Sequence, residues 1–185
     1  MKLFYTASYT GKEKYQKYYD IVLRAIDGTG VEVVSPEKGN YLDVLTTEAR
    51  NRFINDPKRL HYEAIRKGII ASDAVVIEVS NEDFQLGHEA TLAIQNKKYV
   101  LCLSIHENFS EKIKNRYFLG AKYNQFNIEE IVENFVSMIG AEAKSERFNL
   151  FLQPGQAKYL KEKAKGDGMS MSDYVRLLID QDRRE

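Results

Sequence analysis

The sequence has little cysteine, little proline and no net charge, and each shortage excludes a class of protein. Its 185 residues include one cysteine, Cys102, so no internal disulfide can form, and three prolines, too few for a Pro-rich linker protein. Lysine plus arginine number 27, as do aspartate plus glutamate, which excludes a polycation that coats nucleic acid through bulk charge. The unpaired cysteine lies in the apolar run 99–103 and indicates a reducing, cytoplasmic setting.

Long apolar segments are missing as well. No stretch approaches the roughly 20 apolar residues that span a bilayer, and the apolar part of the N-terminus is too short for a signal peptide. We therefore expect no membrane partner. A conventional core is available, because 43% of the residues are hydrophobic and 29% are charged, and the length suits one domain with a small appendix.

Apolar residues alternate between two periods along the first 140 residues. Strands are predicted at 3–7, 31–34, 74–79 and 99–104, with a weaker one at 123–126. Helices are predicted at 12–27, 57–71, 86–95 and 128–139. Nearly continuous apolar strands that alternate with helices imply an α/β fold with a doubly wound, flavodoxin-like parallel sheet. Ligands bind beyond the carboxyl ends of such strands, which directs attention to loops 8–11 and 80–87.

The C-terminal part of the chain follows a different pattern. Small and polar residues at 140–145 indicate a linker between an α/β domain, 1–140, and a module at 146–185. Alternation from 147 to 152 predicts a one-sided strand. Two short helices should follow, one at 154–165 and one capped by Ser170 or Ser172. Such a small unit cannot bury its apolar face alone, so we expect it to pair with a second copy.

Two residue runs in this module carry a family resemblance. They are Arg147-Phe-Asn-Leu-Phe-Leu-Gln-Pro154 and Gly168-Met-Ser-Met-Ser-Asp-Tyr-Val-Arg-Leu-Leu-Ile179, and they resemble the ribbon-helix-helix DNA-binding family. The resemblance implies a homodimer, or a higher even oligomer, whose paired strands enter the major groove of double-stranded DNA. The DNA contacts that it implies are Arg147, Asn149 and Phe151 on the ribbon, with Ser170 and Ser172 at a phosphate.

The alternative for this module is a strand-paired dimerisation unit without a DNA partner. Phe151 favours that alternative, because it stands where the family usually has a polar residue that reads bases. Both interpretations stay open, since motif matches include false positives.

Three residue runs in the α/β domain carry a second resemblance. They are Phe4-Tyr-Thr-Ala-Ser8, Ala74-Val-Val-Ile-Glu-Val-Ser80 and Leu86-Gly-His-Glu-Ala-Thr-Leu-Ala93. Together they resemble the nucleoside 2-deoxyribosyltransferase superfamily over roughly residues 3–138. The nearer branch is that of the deoxyribonucleoside 5′-monophosphate N-glycosidases. The strongest motif is Gly87-x-Glu89, which we place at the start of a helix after an inner strand.

The superfamily resemblance implies carboxylate chemistry at the anomeric carbon of a nucleoside or nucleotide-like ligand. Glu89 would attack C1′ as the base departs, and water or another base would resolve the deoxyribosyl-enzyme. The ligand-binding residues indicated by the resemblance and the strand-end loops are Tyr5, Ser8, Tyr9, Gly11, Asp83 and Gly87. No cofactor and no metal are implied, because the histidines lack ligand spacing. The alternative for Glu89 is a surface residue in a helix's first turn, where the helix dipole favours it.

Departures from the family pattern support a different hypothesis. Phe4 stands at the family's tyrosine, and Ile65 stands at its second carboxylate, with Glu63 two positions away. The positions of three phosphate ligands read Thr10, Asp83 and Ala121, and an acid at 83 would repel a phosphate. A catalytically degenerate sensing domain that regulates a DNA-binding tail is therefore the alternative to an enzyme.

Overall fold

The computed structural model of the chain describes residues 1–143 and 150–182. Residue contacts divide the chain into two compact units, Met1–Ser145 and Glu146–Glu185. Within the described ranges, every helix is too short or too polar to cross a bilayer.

A five-stranded, entirely parallel sheet organises the first unit. Its strands are β1 Lys2–Ala7, β2 Glu32–Val34, β3 Ala74–Glu78, β4 Tyr99–Ser104 and β5 Phe118–Lys122. Their order across the sheet is β2-β1-β3-β4-β5, and all four neighbouring pairs are parallel. This order is consistent with a flavodoxin-like fold, and its direction reverses between β1 and β3.

Five α-helices accompany this sheet in the described part of the unit. They are α1 Lys12–Gly28, α2 Thr47–Arg52, α3 Pro57–Ala71, α4 Phe84–Gln95 and α5 Ile128–Ala143. Short 3-10 helices occupy Tyr41–Val44 and Phe109–Glu111.

The sheet is covered on both faces, and strand alternation assigns each side chain to one layer. Leu3 and Tyr5 of β1 face the layer formed by α1 and α5. Phe4, between them, faces the layer that contains Ile65 of α3 and Leu86 of α4. Gly68 lets α3 approach β1 closely, because a Cβ at this position would collide with the Phe4 ring.

Two predicted elements agree with the structure at both ends. β4 covers the predicted 99–104, and α3 covers the predicted 57–71. The helix begins where Pro57 follows Asp56, whose side chain accepts a hydrogen bond of 3.1 Å from the Arg59 amide. Proline in the first turn after a capping acid is a strong signal for a helix start.

The strand predicted at 123–126 is wrong. β5 ends at Lys122, and the next residues form a turn in which Asn124 Oδ1 accepts from the Phe126 amide and Asn127 Oδ1 accepts from the Asn124 amide. The true strand was missed because Gly120 interrupts it, which weakens the strand pattern. That glycine is required there, since a Cβ would lie 2.5 Å from the Ser110 amide nitrogen.

One helix was not predicted, and another begins earlier than predicted. α2 was not predicted, because its residues, Thr47–Arg52, are polar and show no apolar period; Thr46 caps it by accepting from the Ala49 amide at 3.3 Å. α4 begins at Phe84 rather than 86, because Asp83 caps it and accepts from the Gln85 amide at 2.9 Å.

The second unit contains two short helices in its described part. They are α6 Pro154–Gly166 and α7 Met171–Asp182, joined through Gly168 in the left-handed conformation. Leu160, Ala164 and Tyr174 form its small core. The described end of the predicted strand, 150–152, has no regular secondary structure in this single chain, and its first part lies outside the described residues.

Candidate active site at the strand switch point

A small cavity lies at the carboxyl ends of β1 and β2, beside the reversal in strand order. Its volume is about 50 Å³. It is lined by Thr6, Ala7, Ser8, Tyr9, Lys12, Pro36, Glu37, His61, Ile65, Asp83, Gln85 and Leu86. Small-molecule sites usually measure about 300 Å³ or more, so a ligand of nucleoside size requires the exposed lining side chains, Tyr9 and Gln85, to move.

Glu89 lies in the second turn of α4, in contact with Gln85, which lines the cavity. It is 2% exposed, so the alternative of a surface glutamate in a first turn is wrong. Its Oε1 accepts a hydrogen bond of 2.8 Å from Gln85 Nε2, one helical turn earlier. Its Oε2 is buried and has no hydrogen-bond partner among the described residues. A buried carboxylate oxygen without a hydrogen-bond partner is rare in native structures, which makes Glu89 a candidate functional group.

Burial changes the acidity of this carboxyl. Desolvation raises the pKa of Glu89 from its ordinary 4.5 to about 7, and hydrogen bonds from Gln85 and Thr6 limit the rise. The negative charge of Asp83 adds a smaller contribution in the same direction. The carboxyl therefore exchanges its proton near neutral pH, which is the range in which acid–base and nucleophilic groups work.

A chain of side-chain contacts extends from Glu89 across the cavity wall. Gln85 Nε2 lies 3.4 Å from His61 Nε2, and His61 Nδ1 lies 3.1 Å from the Tyr41 hydroxyl. The Tyr41 and His61 rings also meet edge to face. Partial burial lowers the pKa of His61, so this ring is neutral at neutral pH.

A cluster of polar side chains lies where the loop after β1 meets the loop before α4. Asp83 Oδ2 accepts from the hydroxyls of Ser8 at 3.0 Å and Thr10 at 3.3 Å. The side-chain nitrogen of Asn81, Nδ2, donates to the same two hydroxyls, at 2.9 Å and 3.1 Å. Gly11 belongs to this arrangement, because a Cβ there would lie 2.6 Å from the Asn81 Cβ.

This cluster places a carboxylate at the N-terminus of α4. Asp83 caps α4, so its negative charge occupies the helix N-terminus that attracts anions. Lys12, a basic residue of the cavity, is paired with Glu37 at 2.9 Å. Ala121, the third position compared with the phosphate ligands, lies on β5 and does not line the cavity. The neighbouring Lys122 lines a separate groove, which is described below. The described basic residue of the cavity is therefore paired, while the Asp83 carboxylate accepts only neutral hydroxyl and amide donors.

The structure separates the other predicted ligand-binding residues. Tyr9 lines the cavity and is 82% exposed at its mouth. Tyr5 faces the opposite layer, where its hydroxyl donates to the Tyr19 carbonyl at 3.0 Å. Gly87 is exposed on α4, and a Cβ there would touch nothing. Tyr5 and Gly87 therefore do not line the cavity.

The wall of the cavity lacks a second carboxylate from α3. Ile65, the position at which the resemblance implied a second carboxylate, is buried and lines the cavity. Glu63 instead forms an ion pair of 2.8 Å with Arg66 on its own helix.

Sequence reasoning missed Gln85, His61 and Tyr41. Two of them could have been found from the sequence, because each lies one helical turn before a residue already considered for the site. Gln85 precedes Glu89 by four residues, and His61 precedes Ile65 by four. Residues four apart share a helix face, so any residue next to the cavity makes its helical neighbour a candidate.

Glu78 is a second buried carboxylate that the sequence reading overlooked. It ends β3, is fully buried, and accepts hydrogen bonds from the Ser80 hydroxyl, the Ser80 amide at 3.2 Å and the Tyr123 hydroxyl at 3.0 Å. Desolvation raises its pKa, and these hydrogen bonds oppose the rise. Since each of its oxygens accepts a hydrogen bond, it ties the ends of β3 and β5 together. The sequence signal for this residue was a charged side chain inside the apolar strand run 74–79.

A larger groove, of about 680 Å³, lies on the other face of the sheet. Tyr18 of α1, Ile105 after β4, and Lys122 and Phe126 around the end of β5 contribute to its walls. No carboxylate lines it. The site is therefore assigned to the smaller cavity, beside Glu89.

The predicted DNA contacts are only partly described. Arg147 and Asn149 lie outside the described residues. Phe151 is 97% exposed. Ser170 caps α7, because its hydroxyl accepts from the Asp173 amide at 3.1 Å and donates to the Asp173 carboxylate at 2.6 Å. Ser172 is exposed in the first turn of α7.

The described residues contain no cluster of three or more His, Cys, Asp or Glu side chains that could hold a metal. No protein-family model matches the chain, and no curated protein matches it.

Proposed function

We propose that the α/β unit cleaves the N-glycosidic bond of a neutral deoxynucleoside, as a hydrolase or a deoxyribosyltransferase, with Glu89 as the nucleophile. The observation that supports this most strongly is the buried Glu89 carboxylate, whose Oε2 has no hydrogen-bond partner among the described residues and whose Oε1 contacts Gln85 in the wall of the cavity. Its raised pKa and its position beyond β1 and β3 are both typical of a functional group.

The proposed reaction has two steps that use the same carboxylate. First, a Glu89 oxygen forms a bond to C1′ while the C1′–N bond breaks and its electron pair leaves with the base. Water, or the nitrogen of a second base, then attacks C1′, and the electron pair of the ester bond returns to Glu89. A desolvated carboxylate is a stronger nucleophile than a hydrated one, so burial serves the first step.

The ligand that we propose is a nucleoside rather than a 5′-monophosphate. Asp83 supports this choice, because a carboxylate at the start of α4 repels a phosphate but accepts a hydrogen bond from a sugar hydroxyl. Ser8 and Thr10 contact Asp83 and offer further hydroxyls at the same place.

Two features of this proposal agree with the resemblance to the nucleoside 2-deoxyribosyltransferase superfamily. They are a glutamate nucleophile, Glu89, and a flavodoxin-like fold. It departs from that family at Phe4 and Ile65. The departures predict a slower enzyme or one with a different proton donor.

The test is base release from a panel of deoxynucleosides and their 5′-monophosphates, followed by chromatography. We expect wild type to release a base from at least one nucleoside and Glu89→Ala to lose well over 100-fold in rate. Glu63→Ala is the matched control, because Glu63 pairs with Arg66 away from the cavity, and it should retain wild-type rates. Lack of base release by wild type from every compound would contradict the proposal.

A second candidate function is a nucleoside sensor without catalysis. The apolar Ile65 favours it, because a site without a second acid on α3 has one catalytic group fewer to turn a bound ligand over. Calorimetry that detects nucleoside binding, without base release, would support this candidate over the enzyme.

For the C-terminal unit we propose a ribbon-helix-helix module that dimerises and binds double-stranded DNA. Exposed apolar side chains support dimerisation: Leu150 is 56%, Phe151 97% and Ile179 54% exposed in the single chain. Such residues need a partner to cover them. Arg147, Asn149 and Phe151 would then face the major groove, and Ser172 a phosphate.

A further inference from the structure

His61 and Glu89 contact the same nitrogen atom. Gln85 Nε2 lies 2.8 Å from Glu89 Oε1 and 3.4 Å from His61 Nε2. An amide nitrogen carries two hydrogens and can only donate, so one hydrogen serves each acceptor. The Gln85 side chain therefore bridges the carboxylate and the imidazole until it moves to admit a ligand.

The same contacts determine the tautomer of His61. Because Nε2 accepts a hydrogen from Gln85, it carries no proton of its own, and the ring proton is on Nδ1, where it donates to the Tyr41 hydroxyl at 3.1 Å. Tyr41 thus orients the ring, as a third group does in other nucleophile–base arrangements. The basic nitrogen faces Gln85 on the cavity side.

The spacing suits double-displacement chemistry at a sugar. Contacts of 2.8 Å and 3.4 Å to one nitrogen limit the separation of Glu89 Oε1 and His61 Nε2 to about 6 Å at most. Retaining glycosidases separate their nucleophile from their acid/base group by about 5–5.5 Å. His61 also lies one helical turn before Ile65 on α3, and both residues line the cavity. The imidazole is therefore close to the wall position where α3 lacks a carboxylate.

We propose that His61 is a catalytic residue, the general base that activates the water or acceptor base in the second step. This inference rests on the proposed function. As the water oxygen bonds to C1′, one water proton passes to His61 Nε2, the C1′–Oε bond breaks, and its electron pair returns to the Glu89 carboxylate. The imidazolium then releases the proton to solvent, since His61 is only partly buried.

The surroundings of His61 keep it ready to accept that proton. Burial lowers its pKa, so Nε2 is unprotonated at neutral pH. The other titratable and charged groups around the cavity are Tyr9, Tyr41, Lys12, Glu37, Asp83 and Glu89. Lys12 and Glu37 pair with each other. Once Glu89 is esterified it carries no charge, so only Asp83 remains as an unpaired acid to stabilise the imidazolium.

The experiment compares His61→Ala with wild type and with His88→Ala. His88 is the matched control, because it is exposed on α4 and stacks on Tyr62. We expect His61→Ala to lose about 100-fold in turnover, to keep its first burst of base release, and to accumulate deoxyribosyl-enzyme that mass spectrometry detects on Glu89. Added imidazole should restore part of the turnover, which a purely structural role of His61 would not allow.

A second measurement does not depend on turnover. The NMR titration of the His61 ring should change in Glu89→Gln, because both groups share Gln85, and should stay unchanged in Glu63→Gln. An unaltered titration would overturn the shared-amide arrangement. Normal turnover in His61→Ala, with wild type active, would overturn the base role alone. Absence of base release by wild type would overturn the proposed function and this role together.

Discussion

Gln85 donates a hydrogen bond of 2.8 Å to Glu89 from one turn earlier on α4, and the donor is exposed while the acceptor is buried. The exposed Gln85 side chain therefore lies between the cavity and the buried carboxylate. A protein that buries a carboxyl with one unpartnered oxygen loses stability when that carboxyl ionises.

Glu89→Gln should stabilise the α/β unit above neutral pH. The unfolded carboxyl ionises near 4.5 and the folded one near 7, so the native state retains a proton that the unfolded state releases. Stability conferred by the neutral carboxyl is thus lost as pH rises from about 4.5 to 7, by up to about 3 kcal/mol. Glu89→Gln has no ionisable carboxyl at this position, so its stability does not fall in this way as the pH rises.

The measurement is the free energy of unfolding of both proteins by urea at pH 4.5, 6 and 8. The difference in favour of Glu89→Gln should grow with pH. Glu78 also has a raised pKa, but it is present in both proteins and cancels. Glu63→Gln, the surface control, should show no such trend; a difference that does not vary with pH would contradict the burial of an ionisable Glu89.

Asp83→Ser should shift the substrate preference toward 5′-monophosphates. Serine also caps a helix, so α4 should keep its start, while the charge that repels a phosphate is gone. We expect the ratio of kcat/KM for monophosphate over nucleoside to rise at least tenfold. Asp27→Ser, which removes a surface partner of Lys38, should leave the ratio unchanged. An unaltered ratio in Asp83→Ser would show that Asp83 does not set the preference.

The secondary structure could be predicted where each element carries its own signal. β4 has a continuous apolar run, and α3 has a capping acid before proline, so both were predicted to the residue. β5 could not be predicted, because its Gly120 is dictated by the approach of the Ser110 backbone from another part of the chain. α2 could not be predicted either, since it buries no apolar face.

The candidate site was predictable only in part, for the same reason. Glu89 and Asp83 follow from a local motif and from their place after an inner strand. The burial of Glu89 and the position of His61 depend on how α3 and α4 pack against β1, which no local pattern specifies. Tyr5 was expected at the ligand, but strand alternation places it in the opposite layer.

Removal of residues 146–185 should convert an oligomer into a monomer. The exposed apolar side chains of the C-terminal unit, among them Leu150 and Ile179, require a second copy to cover them. Light scattering should give twice the chain mass, or a higher even multiple, for the full chain and a single mass for the shortened one. A full chain that is monomeric at micromolar concentration would contradict the dimer.

Arg147→Ala should weaken binding to a specific DNA site by about 1–3 kcal/mol and relax base preference at one position. Ser172→Ala should weaken all sequences about equally, because a phosphate contact carries no base information. Fluorescence anisotropy against a randomised duplex pool at low salt measures both effects. If no sequence is enriched and competitor DNA removes all binding, the C-terminal unit serves dimerisation alone.

The most direct test of the account is to trap the covalent intermediate. The full-length protein is mixed with a deoxynucleoside that it cleaves, quenched in acid within milliseconds to seconds, and digested for mass spectrometry. The account predicts one added deoxyribosyl group on the peptide that carries Glu89, and none in Glu89→Gln. Base release by wild type without any adduct there, or an adduct on another residue, would contradict a Glu89 nucleophile.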